Sequence, residues 1–257
     1  MKSRRVPNYG IDAPTAVRNL LIVAALGVIS LITLRLGVWS KQDPIAMIAW
    51  PLLWAGLGCG AMAAWMLYDS KLGKTREREQ FLDKLAWRGD ERVLDVGCGL
   101  GLFLIGAAKR VSTGRAVGID KWQQEDLSGN CAAGTLDNAR IAGVADKVEV
   151  HTGDARKLPY DDASFDVVLS SVALHNIYDE GERKTAVREI ARVLKSGGRV
   201  LIVDVRHIRQ YAATLREAGL DARCVQGIVY SLLTVVTFGA VQIGYVIGSK
   251  TTPGTTV

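Results

Sequence analysis

The sequence has no CxxC pair and no Cys/His grouping at metal-ligand spacing: its four cysteines, Cys59, Cys98, Cys131 and Cys224, are scattered. This excludes a zinc module or a disulfide framework and predicts a reduced protein that holds no metal. No internal repeat or low-complexity tract occurs either. The largest lack is of charge. Between Asn19 and Trp39 the only charged residue is Arg35, and between Pro44 and Tyr68 there is none. Each stretch reaches the ~20 apolar residues that a bilayer-spanning helix needs.

Two spans are therefore predicted, at about 19–39 and 44–68, joined by the short link Ser40-Lys41-Gln42-Asp43. Arg35 lies within about a turn of the first span's end, where its guanidinium can reach interfacial water. Trp39, Trp50, Trp54, Trp65 and Tyr68 supply rings suited to the membrane interface. The basic start followed by an apolar run has the outline of a secretory leader. The length of the run from Leu20, with a second run directly behind it, argues against cleavage. Gly56, Gly58, Gly60 and the neighbouring alanines would let the two helices approach closely, or equally admit a second protomer, so a homo-oligomer through these helices stays open.

A formal net charge of +6 would permit nucleic acid or anionic lipid as partner, and position favours lipid. Lys2, Arg4, Arg5 and Arg18 precede the first span, and Lys71, Lys74, Arg76 and Arg78 follow the second, while the link holds one Lys against one Asp. The excess of cations on both outer flanks predicts an integral membrane protein of bacterial inner-membrane type, with both termini and the remaining domain cytoplasmic.

The 257 residues divide into an anchor over 1–69, an amphipathic connecting helix over 70–90 with Phe81, Leu82 and Leu85 on its apolar side, and an α/β domain over 91–257. Short β-branched runs at Arg92 to Val96, Arg115 to Ile119, Lys147 to His151, Phe165 to Ser170 and Arg199 to Val203 read as strands. Helical patterns lie between them, notably Asn130 to Ala142 and Glu182 to Leu194. Such alternation predicts a doubly wound, mostly parallel sheet of seven strands. The uncharged stretch 227–248 is long enough for a third span, but its Val, Ile, Thr and Gly content fits better with two antiparallel strands that finish the sheet.

Val93-Leu94-Asp95-Val96-Gly97-Cys98-Gly99-Leu100-Gly101 is a strand running into closely spaced glycines, followed by an apolar helical pattern from Leu102 to Arg110. A backbone that turns sharply while admitting a ligand at van der Waals distance needs glycine there. Asp120 closes the next strand about 20 residues on, where a carboxylate can accept from both hydroxyls of a ribose. A dinucleotide loop wants a small residue at the last position of G-x-G-x-x-G/A, and Leu102 stands there, which disfavours pyrophosphate.

These residues resemble the class I S-adenosylmethionine-dependent methyltransferases, especially the branch with the ubiquinone and menaquinone methyltransferases. The likeness runs from about Phe81 to Asp204 and rests on Val93 to Gly101, Asp120, Gly153-Asp154-Ala155, Phe165 to Ser171 and Leu194-Lys195-Ser196-Gly197-Gly198-Arg199, in that order. The family often has Pro where Ser196 stands. The resemblance implies S-adenosylmethionine as cofactor, its methionine part cradled by Asp95, Gly97, Gly99 and Gly101, its ribose held by Asp120 and its adenine amino group by Asp154. Trp122 would stack near the adenine or else serve as a core aromatic, and Ala155 and Ser170 would line the same site.

In this fold the acceptor meets the methyl beyond the fourth strand, at Ser170 to Tyr178. Methyl transfer is an in-line displacement with a neutral thioether as leaving group, so alignment is the main contribution asked of the protein. A hydroxyl, thiol or acidic carbon must also lose a proton, and His175 is the candidate base, with Asn176 or Tyr178 orienting the acceptor. A structural role for His175 stays open. The Asn/Asp-Pro-Pro-aromatic turn of methyltransferases that modify base or glutamine amines is missing, so a nucleic-acid substrate is not expected. An anchor on the bilayer points to a small lipophilic acceptor: a quinone, isoprenoid, lipid, phenol or thiol. The competing readings are a nicotinamide-dependent oxidoreductase, opposed by Leu102 and by Gly153-Asp154-Ala155, and a catalytically silent cofactor-binding scaffold.

Overall fold

Short runs of Val, Leu and Ile that are buried on alternating sides build a sheet covered on both faces. In the computed structural model, which describes residues 5–36, 44–226 and 244–251, the chain forms two compact units. One comprises Met1–Tyr9, Arg78–Trp122 and Asn130–Val257, the other Gly10–Glu77 and Gln123–Gly129.

The first unit holds strands β1 (Arg92–Val96), β2 (Arg115–Asp120), β3 (Val148–Thr152), β4 (Phe165–Ser171), β5 (Leu194–Asp204), β6 (Leu220–Val225) and β7 (Gly244–Lys250) in the order β3-β2-β1-β4-β5-β7-β6. β1 to β5 pair in parallel, and β7 runs antiparallel to both β5 and β6. The strand order reverses between β1 and β4, the place where open α/β sheets bind ligands beyond their carboxyl ends.

The period of two along each strand feeds two cores. Leu94, Val96, Val168 and Val200 pack with Val187, Ile190 and Tyr211 on one face; Val93, Val167, Leu169 and Leu201 pack with Phe103, Leu104 and Ala139 on the other. The helices that supply these partners are α4 (Leu102–Ala108), α5 (Ala132–Ile141), α6 (Glu180–Val193) and α7 (Ile208–Glu217). Each fully buried aliphatic or aromatic side chain contributes roughly 1.5–3 kcal/mol over its exposed state. Asp179 starts α6 by accepting the N–H of Glu182 at 2.8 Å, the N-cap contact that satisfies a helix's free donors.

Several boundaries differ from the sequence expectation. β5 begins at Leu194 rather than Arg199, because Lys195 to Gly198 forms an irregularity between two stretches that both pair with β4, with Gly197 at φ 73°. The strand pair that completes the sheet is β6 with β7, so its first member starts at Leu220, ahead of the 227–248 window. Gly244 to Gly248 of that window lies in β7, and 227–243 lies outside the described residues.

In the second unit, α1 (Pro14–Arg35) and α2 (Pro44–Tyr68) form the two apolar helices. α1 begins five residues earlier than the 19–39 expectation, with Pro14 at its first turn, and ends on Arg35, whose charge suits a helix carboxyl end. Residues 37–43, the link included, lie outside the described residues. A Cβ built on Gly27 would come within 2.7 Å of Gly56 Cα, and one on Gly56 within 2.5 Å of Gly27 Cα, so the helices cross backbone to backbone there. Gly60 faces Ala24, whereas Gly58 meets nothing and looks outward.

Both helices are long and apolar enough to cross a membrane, and most of their surface is exposed. Ile22, Ile29, Ile48, Trp54 and Trp65 are each more than half exposed. The connecting segment is a π-helical turn over Asp69–Gly73 followed by α3 (Lys74–Leu82), which stops well short of residue 90. The division between units falls inside it, at Glu77/Arg78, and Gln123–Gly129 joins the apolar hairpin's unit, which the sequence did not foreshadow.

Candidate active site

The carboxyl ends of β1 and β2 are tied together by the loop that leaves β1. Gly97, Gly99 and Gly101 have φ of 74°, 51° and 85°, the left-handed region that side chains resist. Space demands glycine at two of them as well: a Cβ on Gly97 would stand 2.2 Å from Ala173 Cβ, and one on Gly101 2.9 Å from Thr135 Cγ2. Gly97 N–H donates to Ile119 O at 2.8 Å and Gly99 N–H to Asp120 Oδ2 at 2.8 Å. From α5, Thr135 Oγ1 donates to Gly99 O at 2.7 Å and Asn138 Nδ2 to Leu100 O at 3.0 Å.

Asp95 sits under this loop, 1% exposed, and neither of its carboxylate oxygens has a hydrogen-bond partner among the described residues. Burial, only partly offset by the nearby backbone N–H of Leu104 and reinforced by the charge of Asp120, pushes its carboxyl up to about 7. A buried acid without a partner is costly unless a ligand supplies a donor or a cation. Asp120 is half-buried; besides Gly99 it accepts from Trp122 N–H at 2.6 Å and Asn130 Nδ2 at 3.3 Å through Oδ1. A carboxylate has about four lone-pair sites, so it retains acceptor capacity for a ribose. Trp122 follows β2 with φ 63°, and its indole is fixed by Nε1–H donating to Thr152 Oγ1 at 2.8 Å.

Three further expected residues have protein partners of their own. Asp154 is engaged by cations: Arg156 grips both its oxygens and Lys121 Nζ lies 2.8 Å from Oδ2. Those bonds, Arg156 first, hold its carboxyl well below the usual carboxylate range. Arg156 continues the chain of charges to Glu182 at 2.5 Å. Asp154 is therefore held in a network of ion pairs. Ser170 is buried and donates its hydroxyl to Val96 O at 2.8 Å, bracing β4 against the start of the glycine loop. Ala155 packs partly buried against the core.

At the reacting end, Ser171 closes β4, Val172 takes φ 51°, and a 3-10 turn over Leu174–Asn176 presents His175. His175 Nδ1 lies 2.6 Å from Asp204 Oδ1, without the alignment of a finished hydrogen bond, and its backbone N–H donates to Asp204 Oδ2 at 3.1 Å. Asp204 ends β5 with its side chain fully buried, and it also accepts from Val205 N–H at 2.7 Å and from Tyr211 OH at 3.2 Å. Burial, with Asp204 adding to it, pushes the Tyr211 phenol far up, so it stays a donor.

Arg183, buried on α6, holds the same turn by donating to the carbonyls of Ile177 and Tyr178, each at 2.7 Å. Asn176 is half-buried. Tyr178 is 94% exposed. Sequence reasoning passed over Asp204 and Tyr211; the usable signal was an aspartate ending β5 as Asp95 and Asp120 mark the ends of β1 and β2. No grouping of His, Cys, Asp and Glu suited to a metal occurs among the described residues.

A doubly wound sheet with a glycine loop, a buried lone acid and a ribose-type aspartate at its switch point defines a nucleotide-cofactor enzyme whose loop lacks a pyrophosphate seat. Residues 94–202 match the family described as "Methyltransferase domain". The chain is similar to the 27-O-demethylrifamycin SV methyltransferase of Amycolatopsis mediterranei, 32% identical over 183 residues that cover 60% of this chain and 62% of that one. It is also similar to the demethylmenaquinone methyltransferase of Lactobacillus johnsonii, 34% identical over 130 residues, 49% of each chain. Among solved structures, a SAM-dependent methyltransferase from Aquifex aeolicus shares the fold, at a TM-score of 0.51 and 19% identity over 67% of this chain and 88% of that one.

The chain spans about three fifths of the length of the first curated relatives that it matches. The region from Leu94 to Ile202 is thus similar to methyltransferases, and the cofactor that the likeness points to is S-adenosylmethionine. The same comparisons speak against the nicotinamide reading.

The residues present fit this cofactor. Asp95 offers a buried acid to a ligand that carries an ammonium and a sulfonium, the loop offers a surface free of Cβ atoms, and Asp120 offers acceptors to the ribose.

Proposed function

We propose that the whole chain is a membrane-anchored methyltransferase that delivers the methyl group of S-adenosylmethionine to a small lipophilic acceptor. The observation that carries this reading is one chain joining the Asp95/Gly97/Gly99/Gly101/Asp120 cradle to two helices whose exposed surface is apolar nearly all round. Exposed apolar area of that extent calls for a lipid surface. With the basic flanks, it supports a hairpin in the inner membrane and a cytoplasmic domain. The lipophilic acceptor follows from placement at the bilayer, and the name of the demethylmenaquinone methyltransferase gives a precedent among its relatives.

When bound, the cofactor supplies an electrophilic methyl on a sulfonium. The chain's own residues then have three tasks. Asp95 and Asp120 hold the two ends of the cradle. His175 takes the acceptor's proton at its outer ring nitrogen, while Asp204 faces Nδ1 and fixes the tautomer and ring plane. Tyr211 and Arg183 hold Asp204 and the 3-10 turn in place. The acceptor would stand between the ends of β4 and β5, in line with the methyl.

The experiment is a single turnover of the detergent-solubilised full chain with methyl-labelled S-adenosylmethionine against a membrane lipid extract and a panel of water-soluble phenols and amines. Label in the organic phase supports the reading. Label transferred only to water-soluble acceptors contradicts the lipophilic class.

A further inference from the structure

Where α6 and α7 meet, within one compact unit, a guanidinium is buried without a counter-ion. Arg183, near the start of α6, is 6% exposed and forms no ion pair with a carboxylate among the described residues. Its Nη1 donates to Ile177 O and Tyr178 O, each at 2.7 Å, and its Nε to Gln210 Oε1 at 3.3 Å. Its Nη2 has no acceptor among the described residues. Burying such a group is costly unless an anion completes its shell.

Gln210, in the first turn of α7, has the matching gap. Its Oε1 is taken by Arg183, and its buried Nε2 meets no acceptor among the described residues. α7 starts with no side-chain cap on its first N–H groups, His207 preceding it at φ 59°. The acids nearby are committed elsewhere. Asp204 faces His175 and accepts from Val205 N–H and Tyr211 OH, while Glu180 pairs with Lys184 and Glu182 with Arg156. The surroundings are correspondingly positive: burial first, then the charge of Arg183, hold the His207 ring below its ordinary pKa, with Asp204 opposing and Arg206 and His175 adding to them.

We propose that Arg183 and Gln210 form an oxyanion subsite beside His175, which takes a carboxylate or phosphate group of the methyl acceptor. A guanidinium edge next to a carboxamide donor suits two oxygens of one such group, and arginine's planar fork is pre-organised for them. The carbonyls that Arg183 holds belong to the stretch directly after His175, so the subsite adjoins the place where the acceptor's proton is taken. An acidic head seated there fixes the distance from head to reacting atom, the alignment that an in-line displacement needs. This inference rests on the acceptor site described under the proposed function and narrows its lipophilic class to acidic members.

The test uses the full chain in phosphatidylcholine nanodiscs, with benzoate, phenyl phosphate and neutral benzamide as probes. Each is titrated with and without S-adenosylhomocysteine, and NMR follows the Arg183 Nε–H and the Gln210 carboxamide. At least one anion is expected to bind about tenfold tighter than benzamide, the scale of one hydrogen bond to a charged group, and to shift both resonances. Benzoate ahead of phenyl phosphate assigns a carboxylate head, and the reverse order a phosphate. Gln210→Met, which keeps the length and removes the donor, is expected to cut the preference about fivefold. Anions that bind no better than benzamide, or that leave both resonances unmoved, overturn the proposal. Anion preference with methyl label passing only to water-soluble acceptors removes the lipophilic reading and leaves the subsite standing; label in lipids without anion preference does the opposite. The measurement on the unaltered chain decides even where Gln210→Met fails to fold.

Discussion

His175 and Asp204 are 29 residues apart in sequence, yet His175 Nδ1 lies 2.6 Å from Asp204 Oδ1 and the two also meet through the His175 backbone N–H. The carboxylate is fully buried, so it has no competing solvent, and its other partners, Val205 N–H and Tyr211 OH, fix its plane. Misalignment in the absence of an acceptor is common at catalytic pairs and tightens on binding.

If this pair handles the acceptor's proton, His175→Ala lowers kcat by about 10²-fold or more, the usual size of a general-base contribution. Binding of S-adenosylhomocysteine should be unchanged. Asp204→Asn should lower kcat in the same direction. Tyr178→Phe should alter neither kcat nor KM, because that ring is 94% exposed. Steady-state rates with the acceptor found in the lipid extract check all three.

Asp95 sets a pH dependence whose sign follows from its burial. Its carboxyl, ordinarily near 3.8, is raised to about 7 in the folded chain. Between those values the folded state holds a proton that the unfolded state has lost, so stability without ligand should fall as pH rises from about 4 to about 7. The cumulative loss is on the order of a few kcal/mol. The ammonium of S-adenosylhomocysteine offsets it, so affinity should rise as pH approaches about 7 from below and level off above it, with up to one proton released on binding below that pH. Denaturation and calorimetry at several pH values check this, and Asp95→Asn should remove both slopes.

The hairpin's packing yields a contrast within one helix. Gly56→Val places a side chain where Gly27 Cα already stands, and Gly58→Val places one in open space. The first should destabilise the hairpin by about 1–3 kcal/mol, the usual cost of overpacking, and the second should be close to neutral. Denaturation in detergent followed by tryptophan fluorescence reports the difference, since Trp50, Trp54 and Trp65 lie on the same helix.

Topology is open to a labelling experiment. With the hairpin in the inner membrane and the domain cytoplasmic, a Ser40→Cys variant should react with an impermeant maleimide in intact spheroplasts. Cys131, exposed on the domain, should react only after permeabilisation. Labelling of Cys131 from outside would place the domain on the other face.

Much of the α/β fold was legible because strands buried on both faces are written as short β-branched runs, and β1 has the expected boundaries. The start of β5 was not, since Lys195-Ser196-Gly197-Gly198 reads as a turn although the chain pairs with β4 on both sides of it. β6 escaped notice because Asp221 and Arg223 break its apolar run into an alternation too short to stand out. In the site, the glycine loop and Asp120 could be read because backbone geometry dictates residue type. Partners could not: the clamp of Arg156 on Asp154, the commitment of Ser170 to Val96 O and the hold of Asn138 on Asn8 depend on packing, and the last spans 130 residues.

Calorimetric titration of the purified full chain with S-adenosylhomocysteine and, separately, with NAD tests the cofactor cradle most directly. One molecule of S-adenosylhomocysteine per chain is expected, with a Kd in the ~1 μM–1 mM range typical of enzyme ligands, lost in Asp120→Ala, and no heat with NAD. Binding of NAD with none of S-adenosylhomocysteine would contradict the assignment of the cradle and every role derived from it.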